Sequence, residues 1–305
     1  MGLTSPVIDP GARQRLTARF GSEVGRWFDE LPGLLTALAG RWQIELGSPI
    51  PRGTASAVFR CHMADGRPAV LKTSPDRSRL ALEASALAVW DTVHTPAVIA
   101  FDEQVGALLL EAIEPGMPLI VTSVYPTLDD VAGLLSSLHG QSVPGASYPP
   151  VAQRVDNLFR SSAKLYERAP DLAALVPLDL YERGHALATR LARQKLPIVP
   201  LHGDLTPRNI LDGGERGLVA IDPTPCVGDA AFDAVDLILW QANDLGTIEA
   251  RTQRLAAATG LDAERLHDWC CAFAGMVALE LASEGNTPRT WSEAVRRLAS
   301  QAGST

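Results

Sequence analysis

The chain has 305 residues, of which 46% are hydrophobic and 20% charged, and its formal net charge is −8. This length and composition exclude a disordered chain and are sufficient for two lobes, each with its own core. The acidic balance argues against a nucleic-acid partner, which normally requires a basic face, and it weakly favours cationic small molecules.

The cysteines and the first residues indicate the compartment. The four cysteines, at positions 61, 226, 270 and 271, form no Cys-x-x-Cys pair and have no histidine at a spacing suited to zinc. Residues 1–9 lack the basic start and apolar run of a secretory signal, and no window approaches the roughly 18 apolar residues of a membrane span. We therefore expect a cytoplasmic protein without a membrane partner, as a monomer or weak dimer.

The first 41 residues predict a helical extension. Asp9-Pro10 is typical of a helix start, and apolar residues recur at helical spacing over residues 15–38. Gly21-Ser22 and Pro32-Gly33 are expected to break this stretch into two or three short helices.

From Trp42 the apolar period changes to two, which indicates that a strand begins there. Strands are predicted from residue 42 to the loop at 47, and at 54–63, 68–73, 97–102 and 107–111, with a helix at 76–90 after the third. Lys72 on the third strand and Glu83 on this helix are placed to form the ion pair that orients a nucleotide's phosphates, although each alone is more often a surface charge.

A weaker signal lies in the loop before the second strand. Backbone N–H groups around Gly53, Thr54 and Ser56 are candidates to cover phosphates, but one glycine makes a poor glycine-rich loop and an ordinary hairpin loop is the alternative. After residue 113 the Glu114-Pro115-Gly116 break predicts a boundary between a nucleotide-binding lobe, 1–113, and a lobe at 114–305.

The second lobe is predicted to be mostly helical. Thr127-Leu128-Asp129-Asp130 is a helix-capping signal, and helices are expected at 127–139, 151–168, 179–195, 231–240, 248–258, 262–284 and 289–300. The fold class is therefore α+β, with five strands and one helix in the first lobe after its helical extension.

The strongest site pattern is the stretch 201–211, followed closely by 218–223, in which two apolar runs flank a short loop. It carries His202, Asp204 and Asn209, and the second run ends in Asp222. Phosphoryl transfer requires a carboxylate to accept the acceptor's proton, which we assign to Asp204, and hard oxygen ligands for Mg²⁺, which we assign to Asn209 and Asp222. The alternative is that Asp204 and Asn209 only close a turn. Asp233 is a helix cap or a brace for the loop that holds His202.

With Lys72, Glu83, His202-Gly203-Asp204, Asn209 and Asp222 in this order, the chain resembles the aminoglycoside phosphotransferases, relatives of the protein kinases. Residues 221–233 resemble the streptomycin 6-kinase and hydroxyurea kinase branch. The resemblance implies a protein-kinase-like bilobal fold with an antiparallel N-lobe sheet, ATP and Mg²⁺ as cofactors, and purine contacts from the Glu111 and Ile113 backbone. Two departures, Thr206-Pro207-Arg208 for His-x-Glu and Asp229-Ala230 for Asp-Pro, lie near the acceptor side.

Three functions remain open. The first is a kinase that phosphorylates a hydroxyl of an aminoglycoside antibiotic, with Glu280, Glu284 and Asp229 as acceptor-binding acids. The two glutamates are spaced one helical turn apart, and their alternative is a solvated helix end. The second function is a kinase of hydroxyurea or another small metabolite, and the third is a nucleotide-binding pseudokinase. All five catalytic positions carry competent residues, which argues against the third.

Overall fold

The computed structural model describes residues 8–51, 55–90, 92–141, 148–285 and 288–302. The chain divides into two compact units after Gly116. In these described ranges, no helix combines the length and the apolar character that are needed to cross a membrane.

The first unit contains an antiparallel sheet and three described helices. In chain order its elements are α1 (Pro10–Phe20), α2 (Val24–Trp42), β1 (Ile44–Pro49), β2 (Ala57–Met63), β3 (Pro68–Thr73), α3 (Arg77–Trp90), β4 (Val98–Asp102) and β5 (Ala107–Glu111). The strands are ordered β1-β2-β3-β5-β4, and every neighbouring pair is antiparallel. This confirms the prediction of five strands with a helix after the third.

The predicted break at Pro32 is wrong, because Pro32 lies inside α2. A proline in a helix interior costs about 3 kcal/mol or more, since it removes a hydrogen bond and clashes with the preceding turn. However, α2 buries Leu31, Leu35 and Leu38 in the core that also contains the inner face of the sheet. Each such side chain contributes roughly 1.5–3 kcal/mol when it is fully buried. This packing outweighs the local cost and keeps the helix continuous.

The predicted start of the first strand at Trp42 is also wrong. Trp42 is the last residue of α2, and β1 begins at Ile44. Between them Gln43 adopts a left-handed conformation with φ of 51°, and its N–H donates to the Ala39 carbonyl. The helix thus ends at this cap, and the alternating period seen from Trp42 onward begins two residues before the strand.

The second unit is mostly helical. Its elements are α4 (Leu119–Thr122), α5 (Leu128–His139), α6 (Val151–Arg168), α7 (Leu172–Leu175), α8 (Leu178–Ala192), β6 (Val199–Leu201), β7 (Ile210–Asp212), β8 (Leu218–Ala220), β9 (Cys226–Gly228), α9 (Ala231–Leu239), α10 (Leu245–Thr259), α11 (Ala263–Glu284) and α12 (Arg289–Ala299). β6 pairs with β9 and β7 pairs with β8, both antiparallel.

Helix α11 forms the centre of this unit. Every residue from 269 to 279 is buried, so the helix is apolar on all sides there. Gly184 of α8 permits close packing, because a Cβ at this position would lie 2.5 Å from the Ala272 carbonyl oxygen. Glu280 is the first exposed residue after the buried stretch.

The start of α6 is fixed to the β6–β9 pair. The Val227 N–H donates to the Pro149 carbonyl at 2.9 Å, just before the helix begins at Val151. A Cβ at Gly228 would lie 2.4 Å from Val151 Cγ1, so glycine is required for this approach. The first turn of α6 is therefore placed beside the strand that leads into the His202 loop.

Candidate active site

The loop between β6 and β7 is constrained first at Gly203. Its φ is 75°, a left-handed conformation that glycine adopts readily. A Cβ there would lie 2.1 Å from the Thr224 carbonyl oxygen, while the Thr224 N–H donates to the His202 carbonyl at 2.9 Å. The loop therefore crosses the chain that follows Asp222 at a distance that excludes other residue types.

The buried carboxylate of Asp233 holds the backbone of this loop. It accepts hydrogen bonds from the N–H groups of His202 at 2.8 Å and Gly203 at 2.9 Å, and from His139 Nε2 at 3.1 Å. Burial works to raise the pKa of Asp233, but the hydrogen bond and charge of His139, with those from the loop, outweigh it and lower the pKa. Asp233 thus makes the bracing contact that the sequence suggested.

His202 is fully buried, and burial lowers its pKa, which keeps the ring neutral. The N–H of Asp204 donates to His202 Nδ1 at 3.3 Å, so Nδ1 carries no proton. The other nitrogen, Nε2, then donates to the Ile221 carbonyl at 3.0 Å. His202 therefore ties the Asp204 loop to the segment before Asp222.

Both oxygens of the Asp204 carboxylate are oriented by neighbours. Asn209 Nδ2 donates to Asp204 Oδ2 at 2.8 Å and to the Asp204 carbonyl at 2.9 Å. Arg154 Nη2 donates to Oδ1 at 2.8 Å, and Arg154 Nε donates to the Gly203 carbonyl at 2.6 Å. The Asp204 side chain is still about one-third exposed, at 34%, so an acceptor can reach it.

Asn209 and Asp222 lie at the same end of the β7–β8 hairpin. Asn209 precedes β7 and Asp222 follows β8, and the Ile221 N–H donates to the Asn209 carbonyl at 2.8 Å. Because the amide nitrogen of Asn209 is engaged with Asp204, a metal would bind its amide oxygen. Asp222 has a φ of 58°, which is uncommon outside glycine and is tolerated by aspartate.

The side-chain oxygens of Asn209 and Asp222 suit Mg²⁺, but they are too few for a metal site made of protein ligands alone. In the described ranges, no group of three or more His, Cys, Asp or Glu side chains is arranged to hold a metal. Mg²⁺ typically binds one or two protein oxygen ligands and completes its octahedron with water and substrate phosphates. One carboxylate and one amide oxygen at a hairpin end match that donor set.

Two further carboxylates lie near Asp204. Burial first, and then the charge of Asp204, raise the pKa of Asp236 to about 7, and Arg154 partly opposes this. The pKa of Glu280 is also raised to about 7. Shielding of its carboxylate from water by the protein is the main cause, and the charges of Asp236, Glu284 and Asp204 add to it. Glu280 is nevertheless exposed. Its side chain therefore contacts solvent where the buried stretch of α11 ends.

The other two predicted acceptor residues are engaged elsewhere. Asp229 accepts hydrogen bonds from Arg265 Nε and Trp269 Nε1, and at 3.1 Å from the Ala231 N–H at the start of α9. Glu284 pairs with Arg208 at 3.0 Å on an exposed surface. The structure thus places Glu280 within range of the charge of Asp204, gives Asp229 structural contacts, and leaves Glu284 exposed.

In the first unit, Lys72 and Glu83 form a buried ion pair, with side chains 4% and 0% exposed. Lys72 lies on β3 between Val58 of β2 and Leu108 of β5. Ser56 is also buried, and among the described residues its hydroxyl has no hydrogen-bond partner. Gly53 and Thr54 lie outside the described residues.

The predicted purine-contacting segment follows β5. Glu111 pairs with Ala69 of β3, its N–H donates to the Ala97 carbonyl at 3.0 Å, and its side chain accepts from the Ala97 N–H at 3.2 Å. The Glu111 N–H is therefore used within the sheet. Ile113 lies two residues beyond the end of β5 and is partly exposed.

Sequence reasoning missed Arg154, Asp236 and His139. A signal existed for the first two: Arg154 interrupts the buried face of α6 between Val151 and Val155, and Asp236 is an acid within an almost wholly buried helix. Neither signal identifies a partner, because the contacts join residues far apart in the chain. Arg154 is 50 residues from Asp204.

The fold is that of the protein-kinase-like phosphotransferases. The structure of the choline kinase LicA from Streptococcus pneumoniae superposes with a TM-score of 0.57 at 14% identity, covering 89% of this chain and 98% of that one. A sequence profile described as "Aminoglycoside/hydroxyurea antibiotic resistance kinase" matches residues 41–285. The chain belongs to this family of phosphotransferases.

Two relatives show the range within the family. A hydroxyurea phosphotransferase from Kitasatospora aureofaciens is 28% identical over 270 residues, which cover 85% of this chain and 76% of the relative. A streptomycin 6-kinase from Streptomyces griseus is 30% identical over 235 residues, which cover 75% of this chain and 72% of the relative. The predicted family is confirmed, and the relatives differ in acceptor.

Proposed function

We propose that this protein transfers the γ-phosphoryl group of ATP to a hydroxyl of a cationic aminoglycoside of the streptomycin type and thereby confers resistance. The observation that carries the proposal is the group of carboxylates beside Asp204. Burial first, and nearby negative charges second, raise the pKa values of Asp236 and Glu280 to about 7. A bound cation would relieve this repulsion and hold both groups ionised, whereas a neutral acceptor would not.

The loop between β6 and β7, which we call the catalytic loop, and the Lys72–Glu83 pair would each perform a separate part of the reaction. The acceptor oxygen attacks the γ-phosphorus, its proton passes to Asp204, and the bond from phosphorus to the ADP oxygen breaks. Asn209 orients the carboxylate through the bond to Oδ2. A Mg²⁺ ion held by Asn209 and Asp222 would neutralise charge on the phosphates. Lys72, fixed by Glu83, would bind the α- and β-phosphates.

The remaining roles follow the same scheme. We propose that Gly53, Thr54 and Ser56 cover the phosphates, and that the backbone around Glu111 and Ile113 contacts the purine. Asp229 is excluded from acceptor binding in this proposal, because Arg265, Trp269 and Ala231 already donate to its carboxylate. We expect the enzyme to act in the cytoplasm as a monomer or weak dimer, without a nucleic-acid or membrane partner.

A neutral acceptor is the second candidate. The relative that covers most of this chain in the comparison of sequences above is a hydroxyurea phosphotransferase. Hydroxyurea would use the same base and metal ligands, but it carries no positive charge for Asp236 and Glu280. Only the cationic acceptor would therefore need Asp236 and Glu280 in their charged forms.

The test measures ADP release by purified protein with Mg²⁺ and ATP, using streptomycin, hydroxyurea or no acceptor. Mass spectrometry of the products identifies the phosphorylated compound. We expect release that depends on streptomycin. Release with hydroxyurea alone would select the second candidate, and nucleotide binding without acceptor-dependent release would indicate a pseudokinase.

A further inference from the structure

Arg154 joins α6 to the catalytic loop at two points. Its Nε donates to the Gly203 carbonyl at 2.6 Å, and its Nη2 donates to Asp204 Oδ1 at 2.8 Å. The side chain is 16% exposed, so the guanidinium is mostly shielded from water. A planar guanidinium fixes the two acceptors relative to each other, which a single ammonium does less well.

The position of Arg154 follows from the packing of α6. The helix starts against β9, where Gly228 admits Val151, and Arg154 lies one turn later on the side of Val151 and Val155. β9 itself pairs with β6, and Gly203 lies two residues beyond β6. The guanidinium is therefore anchored by the same strand pair that carries the loop.

The two contacts complete the orientation of Asp204. Asn209 donates to Oδ2 and Arg154 donates to Oδ1. Rotation of the carboxylate about its Cβ–Cγ bond would therefore break a charge-assisted hydrogen bond. The bond to the Gly203 carbonyl fixes the peptide that precedes Asp204. Each oxygen retains capacity for another donor, because an ionised carboxylate offers about four acceptor sites.

Several acidic side chains lie around this part of the loop. Asp233, Asp236 and Glu280 are all close enough to interact with one another or with Asp204. Arg154 lowers the pKa of Asp236, whereas Asp204 raises it, which places the guanidinium among these acids. Its positive charge therefore acts on both Asp204 and Asp236.

We propose that Arg154 is a positioning residue for phosphoryl transfer: through Gly203 and Asp204 Oδ1 it orients the carboxylate that receives the acceptor's proton. The inference rests on the proposed function, because it takes Asp204 as the base. It adds a residue on α6, outside both motifs that carry the family resemblance.

The test compares Arg154→Ala and Arg154→Lys with the control Arg160→Ala, an exposed arginine on the same helix. A misplacement of about 1 Å can cost on the order of 100-fold in rate. We expect Arg154→Ala to lower kcat by about 10- to 100-fold while KM for MgATP and for streptomycin stays within about 3-fold. Arg160→Ala should match the wild type.

Added guanidinium chloride at millimolar concentration provides a readout that a structural role would not change. We expect it to restore part of the kcat of Arg154→Ala, because the free cation can occupy the vacated position between the two acceptors. It should not raise the activity of the wild type, of Arg160→Ala or of Asp204→Asn. Arg154→Lys keeps the charge but lacks the fork, so its kcat should fall and guanidinium should not restore it.

The outcomes separate this inference from the proposed function. An active wild type, an inactive Asp204→Asn and a fully active Arg154→Lys or Arg154→Ala would overturn the role of Arg154 and leave the kinase reaction intact. A loss of MgATP binding and of melting temperature in Arg154→Ala, without rescue, would also overturn it in favour of a folding role. If Arg154→Ala does not fold, the kcat of Arg154→Lys decides: a lowered value supports the positioning role, and a wild-type value overturns it. A wild type that phosphorylates no acceptor would overturn both proposals.

Discussion

Asp233 and Asp236 lie one turn apart on α9, and their pKa values are shifted in opposite directions. Both are withdrawn from water, which favours the protonated form. For Asp233 the N–H groups of His202 and Gly203, together with His139, offset the cost of burying the charged carboxylate. Asp236 lies near Asp204 and Asp233, and its pKa rises to about 7. One helix therefore supplies both a fixed anion beneath the loop and a readily protonated acid beside it.

We expect Asp233→Asn to destabilise the protein. An amide offers one oxygen where two backbone N–H groups require acceptors, so a buried donor loses its partner at a cost of about 1–3 kcal/mol. Urea unfolding at neutral pH measures this loss. Because the pKa of Asp233 is lowered, its contribution is present above its ordinary pKa of 3.8 and is lost only as the pH falls through the lower folded value.

Asp236→Asn is the matched control, with the opposite pH dependence. The folded protein binds a proton at Asp236 more tightly than the unfolded chain does, since the pKa rises from 3.8 to about 7. Wild-type stability should therefore fall relative to Asp236→Asn as the pH rises between these values. A constant difference between the two proteins across this window would show that Asp236 ionises normally.

We expect Gly203→Ala to disable the loop. The new Cβ would lie 2.1 Å from the Thr224 carbonyl oxygen, so the loop must move, and kcat should fall by about 100-fold. Gly217→Ala is the control, because Gly217 has a similar φ of 74° with nothing within 4 Å of its Cβ position. Both variants carry backbone strain, and only the first should lose activity. Equal kcat values would contradict the close approach.

Asp204→Asn should leave MgATP affinity near that of the wild type and lower kcat by roughly 10²–10⁴, the usual contribution of general-base catalysis. The amide is nearly isosteric, so the effect reports on proton acceptance rather than on volume. Steady-state kinetics with calorimetry of MgATP binding provide both values. Turnover within a few-fold of the wild type would remove Asp204 as the base.

Asp222→Ala should abolish Mg²⁺-dependent ATP binding, because the phosphates would lose the anionic ligand that holds their compensating cation. Calorimetry with and without Mg²⁺ measures the effect, and melting temperature reports on folding. An unchanged affinity for MgATP in a folded variant would place the metal ligand elsewhere.

Glu280→Gln should raise KM for the aminoglycoside several-fold and leave KM for ATP unchanged. In the wild type this KM should fall as the pH rises through about 7, because Asp236 and Glu280 ionise there and a cation binds their charged forms. Added salt should weaken the effect. Glu284→Gln should change KM less, since Glu284 is exposed and paired with Arg208. A wild-type KM in both variants would exclude the pair from acceptor binding.

The sequence was most informative where a local pattern determines structure. Alternating apolar residues predicted the sheet, and the Lys72–Glu83 ion pair follows from a strand, a helix and their order. The helix through Pro32 was not predictable from local rules, because the packing of Leu31 and Leu35 on the sheet decides it. The contacts of Arg154 were hidden for the same reason, since they depend on how α6 meets β9.

The candidate site shows the same division. Asp204 and Asn209 lie shortly before the β7–β8 hairpin and Asp222 lies shortly after it, so their sequence spacing already implies proximity. Glu280 approaches Asp204 only because α11 passes through the centre of the second unit. Its neighbour Asp236 lies in a helix that is otherwise almost wholly apolar, and no local pattern marks its role. Electrostatic neighbours of this kind come from tertiary packing and carry no local motif.

The hydrogen bonds of Asp233 connect it to the loop and to α5, whereas Glu280 belongs to the last turn of α11. The residue that braces the loop and the acid that we propose for acceptor binding thus occupy separate helices. If these proposals hold, a substitution near the end of α11 should change which compound is accepted while the loop that holds Asp204 keeps its geometry. Such a scaffold can acquire a new acceptor through few mutations, which offers a physical reason why one family includes kinases of streptomycin and of hydroxyurea.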